Sequence, residues 1–160
     1  MPFILFVCTG NTCRSVMAET LLRQEQYKYP GDLKIASAGL HAVAGEKASA
    51  HVRTLFEREN INLDSHTATG LDRRAVRRAD LILVMTERHR DQLLKQFPEA
   101  VSKTYLLKEY AGTARGNPDI IDPYGESLEN YRLTMEEIRE SVTKIIQILK
   151  GGADNGDCPG

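Results

Sequence analysis

Three side chains in this sequence can do chemistry together: Cys8, Arg14 and Asp122. The first two bound one short stretch, Cys8-Thr9-Gly10-Asn11-Thr12-Cys13-Arg14-Ser15. A thiol opens this loop and a guanidinium closes it. Gly10 lets the backbone turn inward, so that successive amides can form a nest for phosphate oxygens. A Cys-x5-Arg segment can circle a tetrahedral anion, with the sulfur beneath it and the planar guanidinium on its equatorial oxygens. A free thiol ionises near pH ~8.5, and a helix amino end with a nearby arginine favours its anion. Cys8 is thus the candidate nucleophile for in-line attack on phosphorus, and Ser15 a candidate hydrogen-bond donor to its sulfur. Thr9, Gly10, Asn11, Thr12, Cys13, Arg14 and Ser15 are the candidate phosphate-binding residues. No lysine follows the glycine, so the loop is not a nucleotide-binding P-loop.

Splitting a phosphoryl bond leaves a basic atom that needs a proton. Asp122 can supply it, in Asp119-Ile120-Ile121-Asp122-Pro123-Tyr124-Gly125, where the next proline stiffens the loop. The same carboxylate can then act as a base toward water. Asp119 is the alternative acid. Tyr124 is expected at the pocket edge, over the substrate side chain.

These residues need a scaffold. Phe3 to Val7 is a short apolar run rich in strand formers, and a helix from about Ser15 to Tyr27 follows the loop. The loop then lies between a strand's carboxyl end and a helix's amino end, where open α/β sheets place ligands. A lone Cys-x5-Arg is a weak signal; the strand, the glycine and the helix around it make it specific. Further strands are expected at Lys34–Ala38, Asp80–Met85 and Lys103–Leu107. Helices are expected over Ala48–Glu59, Leu71–Ala79, Glu87–Phe97 and Ser127–Lys150. The apolar stripe of the last helix, Tyr131 and Met135 included, reads as core. Arg73, Arg74, Arg77 and Arg78 read as a solvated face. Residues 151–160 are polar and glycine-rich and are expected to be a disordered tail.

Val7 to Ser15 resembles the signature of the low-molecular-weight protein phosphatases, and more closely their bacterial protein-arginine phosphatase branch. The likeness extends to Met17-Ala18-Glu19, Ser37-Ala38-Gly39, Leu107-Lys108-Glu109-Tyr110 and Asp122-Pro123-Tyr124-Gly125. It implies one α/β domain over 1–150, with a four-stranded parallel sheet in flavodoxin-like order 2-1-3-4 and helices on both faces. It implies that His66 supports Asn11 from behind, and that the loop 40–47, with His41 as a rim candidate, meets the substrate. Val16 departs from the family, which usually has proline there; this removes a helix-start preference but no reacting group.

The implied activity is hydrolysis of phosphoarginine in proteins through a phosphocysteine. Tyrosine phosphatases of the family typically carry an apolar residue at the Thr12 position, and a hydroxyl there suits a polar planar guanidinium. Phosphotyrosine remains the alternative substrate. Arsenate reductases of this fold use two further cysteines, and only Cys158 follows Cys13. A non-hydrolysing phosphate carrier would need neither Arg14 nor Asp122.

Composition narrows the rest. The chain has 160 residues, enough for one domain with a real core. A net charge of −1 gives no bulk attraction to nucleic acid or membrane. Three unevenly spaced cysteines do not form a disulfide framework. Cys13 is a candidate to trap an oxidised Cys8 as a disulfide; Cys158 receives no role. No signal peptide fits the start, and no apolar run reaches membrane length. The expected protein is a cytoplasmic monomer acting on phosphorylated proteins, with no cofactor or metal.

Overall fold

The computed structural model describes residues 1–154. Strand β1 (Phe3–Cys8) is the centre of the sheet: all six of its residues are buried. A parallel strand covered on both faces must be apolar throughout, and Phe3-Ile4-Leu5-Phe6-Val7 is. Strand β2 (Lys34–Gly39) pairs with one edge of β1 and β3 (Leu81–Val84) with the other; β4 (Thr104–Leu106) lies outside β3. The order is β2-β1-β3-β4, all parallel, as expected from the resemblance.

Alternation along β1 divides the core in two. Ile4, Phe6 and Cys8 face α1 (Arg14–Glu25), α2 (Ala50–Glu57), α5 (Leu107–Ala111) and α6 (Leu128–Asp154). Phe3, Leu5 and Val7 face α3 (Arg73–Arg78) and α4 (Glu87–Gln96). Ser49, Asp72 and Thr86 cap α2, α3 and α4 through side-chain oxygens. The β1–β2 pairing sets Cys8 beside Gly39, so the two strand ends form one ledge under the loop.

One expectation needs correction, and one element is new. Helix α6 runs to Asp154, so the first four residues of the expected tail, Gly151 to Asp154, are helical. Each added residue closes one more hydrogen bond on an anchored helix, which offsets the poor propensity of Gly151 and Gly152. The five-residue α5 was not expected at all, because one turn is too short to show a period. Cys158 lies outside the described residues. No helix is long and apolar enough to cross a membrane among those described.

Candidate active site

The loop from Cys8 to Ser15 is held from outside at several points. Asn11 has φ +56°, a left-handed conformation that asparagine tolerates better than most residues. Its carbonyl accepts from His66 Nε2 at 2.8 Å, and its Oδ1 accepts from the Thr69 amide at 3.0 Å. The Thr12 carbonyl accepts from the Ser49 amide at 2.9 Å. On the β2 side, the Leu40 and His41 amides donate to the Cys8 and Thr9 carbonyls, each at 2.9 Å. With its carbonyls held outward, the loop is free to turn amides toward the space above Cys8. Cys13 stands at the N-cap of α1, and no side chain caps that helix. The amides usually satisfied by a cap are left for an anion.

A chain of hydrogen bonds runs from Glu19 to the Cys8 sulfur. Ser37 Oγ donates to Glu19 Oε1 at 2.5 Å. Asn11 Nδ2 donates to Ser37 Oγ at 2.8 Å and to Ser15 Oγ at 2.9 Å. Ser15 Oγ lies 2.9 Å from Cys8 Sγ. The proton directions follow from the donor inventory. A carboxylate only accepts, so the Ser37 proton points at Glu19. The Asn11 amide spends both its protons on the two serines. The one proton of Ser15 is therefore directed at sulfur, which suits a thiolate.

Arg14 is buried, with Nη1 donating to the Ile120 carbonyl at 2.9 Å. The Ile120 amide in turn donates to the Met85 carbonyl at the end of β3, at 2.8 Å. Ile120 thus ties the Asp122 loop to both the sheet and the guanidinium. Arg14 Nη2 is 3.6 Å from Asp122 Oδ2, whose side chain is 49% exposed. Cys8, Thr9, Gly10, Thr12, Cys13 and Arg14 line a cavity of about 610 Å³, with Asp122, Tyr124 and Gly125 on one side and Glu46, Lys47 and Ser49 on another. The sulfur and the guanidinium are buried at its floor, and the carboxylate is exposed at its rim. The site can bind a tetrahedral anion and present a nucleophile and a proton donor to it.

Other expected residues fall elsewhere. Asp119 lies outside this cavity: its Oδ1 accepts the Glu87 amide at 2.9 Å, at the start of α4. It lines a neighbouring cavity of about 480 Å³ with Thr9, Arg14, His41, His89 and Asp122. His41 is exposed and borders that second cavity, not the one over Cys8. A larger cavity of about 720 Å³ lies behind the loop, against His66, Ser37 and Glu19, and does not include Cys8. Cys13 is buried in the Cys8 cavity; desolvation, then the charges of Cys8 and Asp122, push its thiol well above the usual range.

Several contributors were given no site role by the sequence. His89 Nε2 meets Thr9 Oγ1 at 2.8 Å from the other face of the sheet. Desolvation, then the Arg14 charge, lowers its pKa to about 4, so the ring is neutral. Nδ1 is buried without a partner; a proton on Nε2 leaves there a bare acceptor, which costs less than an orphaned N–H. Tyr131, read as core only, is buried and also lines the cavity. Gly39 admits the loop backbone: a Cβ there would lie 2.6 Å from the Thr9 oxygen.

A parallel α/β sheet whose central strand ends in a Cys-x5-Arg loop, with a carboxylate carried to its rim, is the arrangement of a cysteine-based phosphatase. The family model described as low molecular weight phosphotyrosine protein phosphatase matches residues 3–154, and the chain belongs to that family. It is 38% identical over 151 residues to a protein-arginine-phosphatase of Geobacillus stearothermophilus, covering 94% of this chain and 98% of that one. It is 34% identical over 146 residues to the low molecular weight protein-tyrosine-phosphatase Wzb of Escherichia coli K12, covering 91% and 94%. Among solved structures, the YwlE arginine phosphatase from G. stearothermophilus superposes with a TM-score of 0.88 at 35% identity, covering 97% of each chain.

Proposed function

We propose that this phosphatase hydrolyses phosphoarginine in proteins, with Cys8, Arg14 and Asp122 as its catalytic residues. The observation that carries the choice of substrate is Thr12. Its hydroxyl-bearing side chain lines the cavity above Cys8, where it can pair with a guanidinium N–H and leaves a phenyl edge with a polar neighbour. The arginine phosphatase named above, matched over nearly its whole length, supports the same reading.

The Cys8 thiolate attacks phosphorus, the P–N bond breaks opposite, and Asp122 gives its proton to the departing guanidine nitrogen. Arg14 and the loop amides hold the equatorial oxygens, where charge gathers. Water then attacks the phosphocysteine while Asp122 takes its proton. The P–S bond breaks, and the Ser15 hydroxyl receives the thiolate. The loop supplies the positive charge, so no metal or cofactor enters. Asn11 and His66 hold the loop in shape, and Tyr124, 83% exposed at the rim, lies against the substrate side chain. Under peroxide, which would take Cys8 to a sulfenic acid, Cys13 in the same cavity is the candidate to displace water and close a disulfide, a slow step while burial keeps its thiol protonated. In this reading the enzyme is a cytoplasmic monomer whose partners are phosphorylated proteins, with no role for nucleic acid or membrane.

The test compares kcat/KM on phosphoarginine and phosphotyrosine peptides of matched sequence. Wild type should favour phosphoarginine, and Thr12→Ile should move the ratio toward phosphotyrosine. A wild-type preference for phosphotyrosine, or a ratio untouched by the substitution, overturns the proposal. The tyrosine reading has its own support in the Wzb relative and in an exposed aromatic at the rim.

A further inference from the structure

We infer that Glu46 is a specificity residue that pairs with the cationic guanidinium of the substrate at the cavity mouth; this rests on the phosphoarginine reading above. The charges of the cavity are ordered by depth. Arg14, buried, holds the floor next to Cys8; Glu46 and Asp122, both exposed, hold the rim. Phosphoarginine has the matching order. Its phosphoryl group is anionic and its guanidinium cationic, so the anion faces Arg14 while the cation lies at the level of Glu46 and Asp122. Phosphotyrosine has the same anion but a neutral ring above it.

Glu46 is also placed for this work by its backbone. Its amide donates to the Val43 carbonyl at 3.1 Å, and its carbonyl accepts from the Ala68 amide at 2.7 Å. Lys47 beside it pairs with Thr67 in an antiparallel bridge. The residue is thus fixed at the rim while its side chain stays free. Among the described residues it forms no ion pair. The obvious neutralising partner, Lys47, is engaged elsewhere: its Nζ donates to the Asp64 carbonyl at 2.9 Å. A carboxylate held at a cavity mouth with no cation of its own is a place for the substrate's cation. Asp122 cannot fill this role alone, because it must give up its proton and then act as a base during the cycle.

The guanidinium charge is present in the bound substrate and in the transition state alike. Glu46 should therefore act on KM more than on kcat. Charge-assisted pairs at half-exposed sites are modest, so Glu46→Gln should lower kcat/KM for a phosphoarginine peptide about fivefold. Activity on the matched phosphotyrosine peptide should stay within about twofold, which also shows that the variant is folded. Glu46→Lys should lower the phosphoarginine value further and leave phosphotyrosine equal or improved. Added salt should weaken the wild-type preference and not that of Glu46→Gln. If wild type hydrolyses phosphoarginine but Glu46→Gln leaves the ratio of the two substrates unchanged, this inference is wrong and the proposed function stands. If wild type does not hydrolyse phosphoarginine, the proposed function fails and takes this inference with it.

Discussion

Gly39 lies so close to Thr9 that a methyl group on its Cα would come within 2.6 Å of the Thr9 carbonyl oxygen and 3.0 Å of the Asn11 amide nitrogen. Both contacts are to backbone, which has no flexible end to swing away. The Cys8–Gly39 pairing leaves the loop no other course over β2. Gly39→Ala should therefore push the loop out of shape rather than merely loosen the sheet. We expect kcat to fall at least ~10²-fold, the loss typical of one misplaced oxyanion donor. Stability should fall by only about 1–3 kcal/mol, as for other overpacked sites. Activity assays paired with urea unfolding check this; a variant with normal kcat would show that the loop can yield.

The proton order from Glu19 to Cys8 makes a claim about timing. If the Ser15 hydroxyl donates to sulfur, its main effect is on the step in which sulfur leaves phosphorus. Hydrogen bonds to charged groups contribute about 1.5–3 kcal/mol. Ser15→Ala should thus slow phosphocysteine breakdown about 10- to 100-fold and slow its formation less. Rapid-quench measurements should find the phosphoenzyme accumulating in the variant. A variant in which both steps slow equally would assign Ser15 to loop structure alone.

What could be read in advance follows from range along the chain. Phe3 to Val7 was legible because a central parallel strand is apolar on both faces, and Cys8 to Ser15 because an anion loop is contiguous. Asp122 was legible through its adjacent proline. Ser37-Ala38-Gly39 carried a likeness but no role, and His89 carried nothing, because their partners Thr9 and Asn11 are brought to them only by the finished sheet. Arg14 meets Ile120 through a backbone carbonyl, and no residue type announces that. The end of α6 was misplaced because Gly151-Gly152 reads as a stop in isolation, while the helix behind it, anchored by Ile145, Ile146 and Leu149, carries on.

His89 gives the fold an acid weakness of its own. Its pKa in the fold is about 4, against an ordinary value of 6.5. The unfolded chain takes up the proton first as pH falls. Stability from this group is therefore complete above pH 6.5 and lost between 6.5 and 4. The full difference is about 3 kcal/mol at 1.36 kcal/mol per pKa unit. Tm of wild type should fall across that window, and Tm of His89→Gln, which can still donate to Thr9, should fall less. Parallel curves for the two proteins would show that His89 does not set the acid limb.

Asp122 is testable through the leaving group. A guanidine is a strongly basic, poor leaving group that needs a proton as it departs, whereas p-nitrophenolate does not. Asp122→Asn keeps the size of the side chain and its approach to Arg14, 3.6 Å away, while removing the proton donor. General acid catalysis is worth roughly 10²- to 10⁴-fold. Formation of the phosphoenzyme from phosphoarginine should slow by that factor, and formation from p-nitrophenyl phosphate by much less. Because the same carboxylate serves as the base toward water, turnover of both substrates should suffer in the second step. The variant should release a burst of p-nitrophenol and then stall with phosphate on Cys8. Equal loss of the first step with both substrates would mean that the proton comes from elsewhere, and Asp119, at the edge of the neighbouring cavity, would be the next residue to replace.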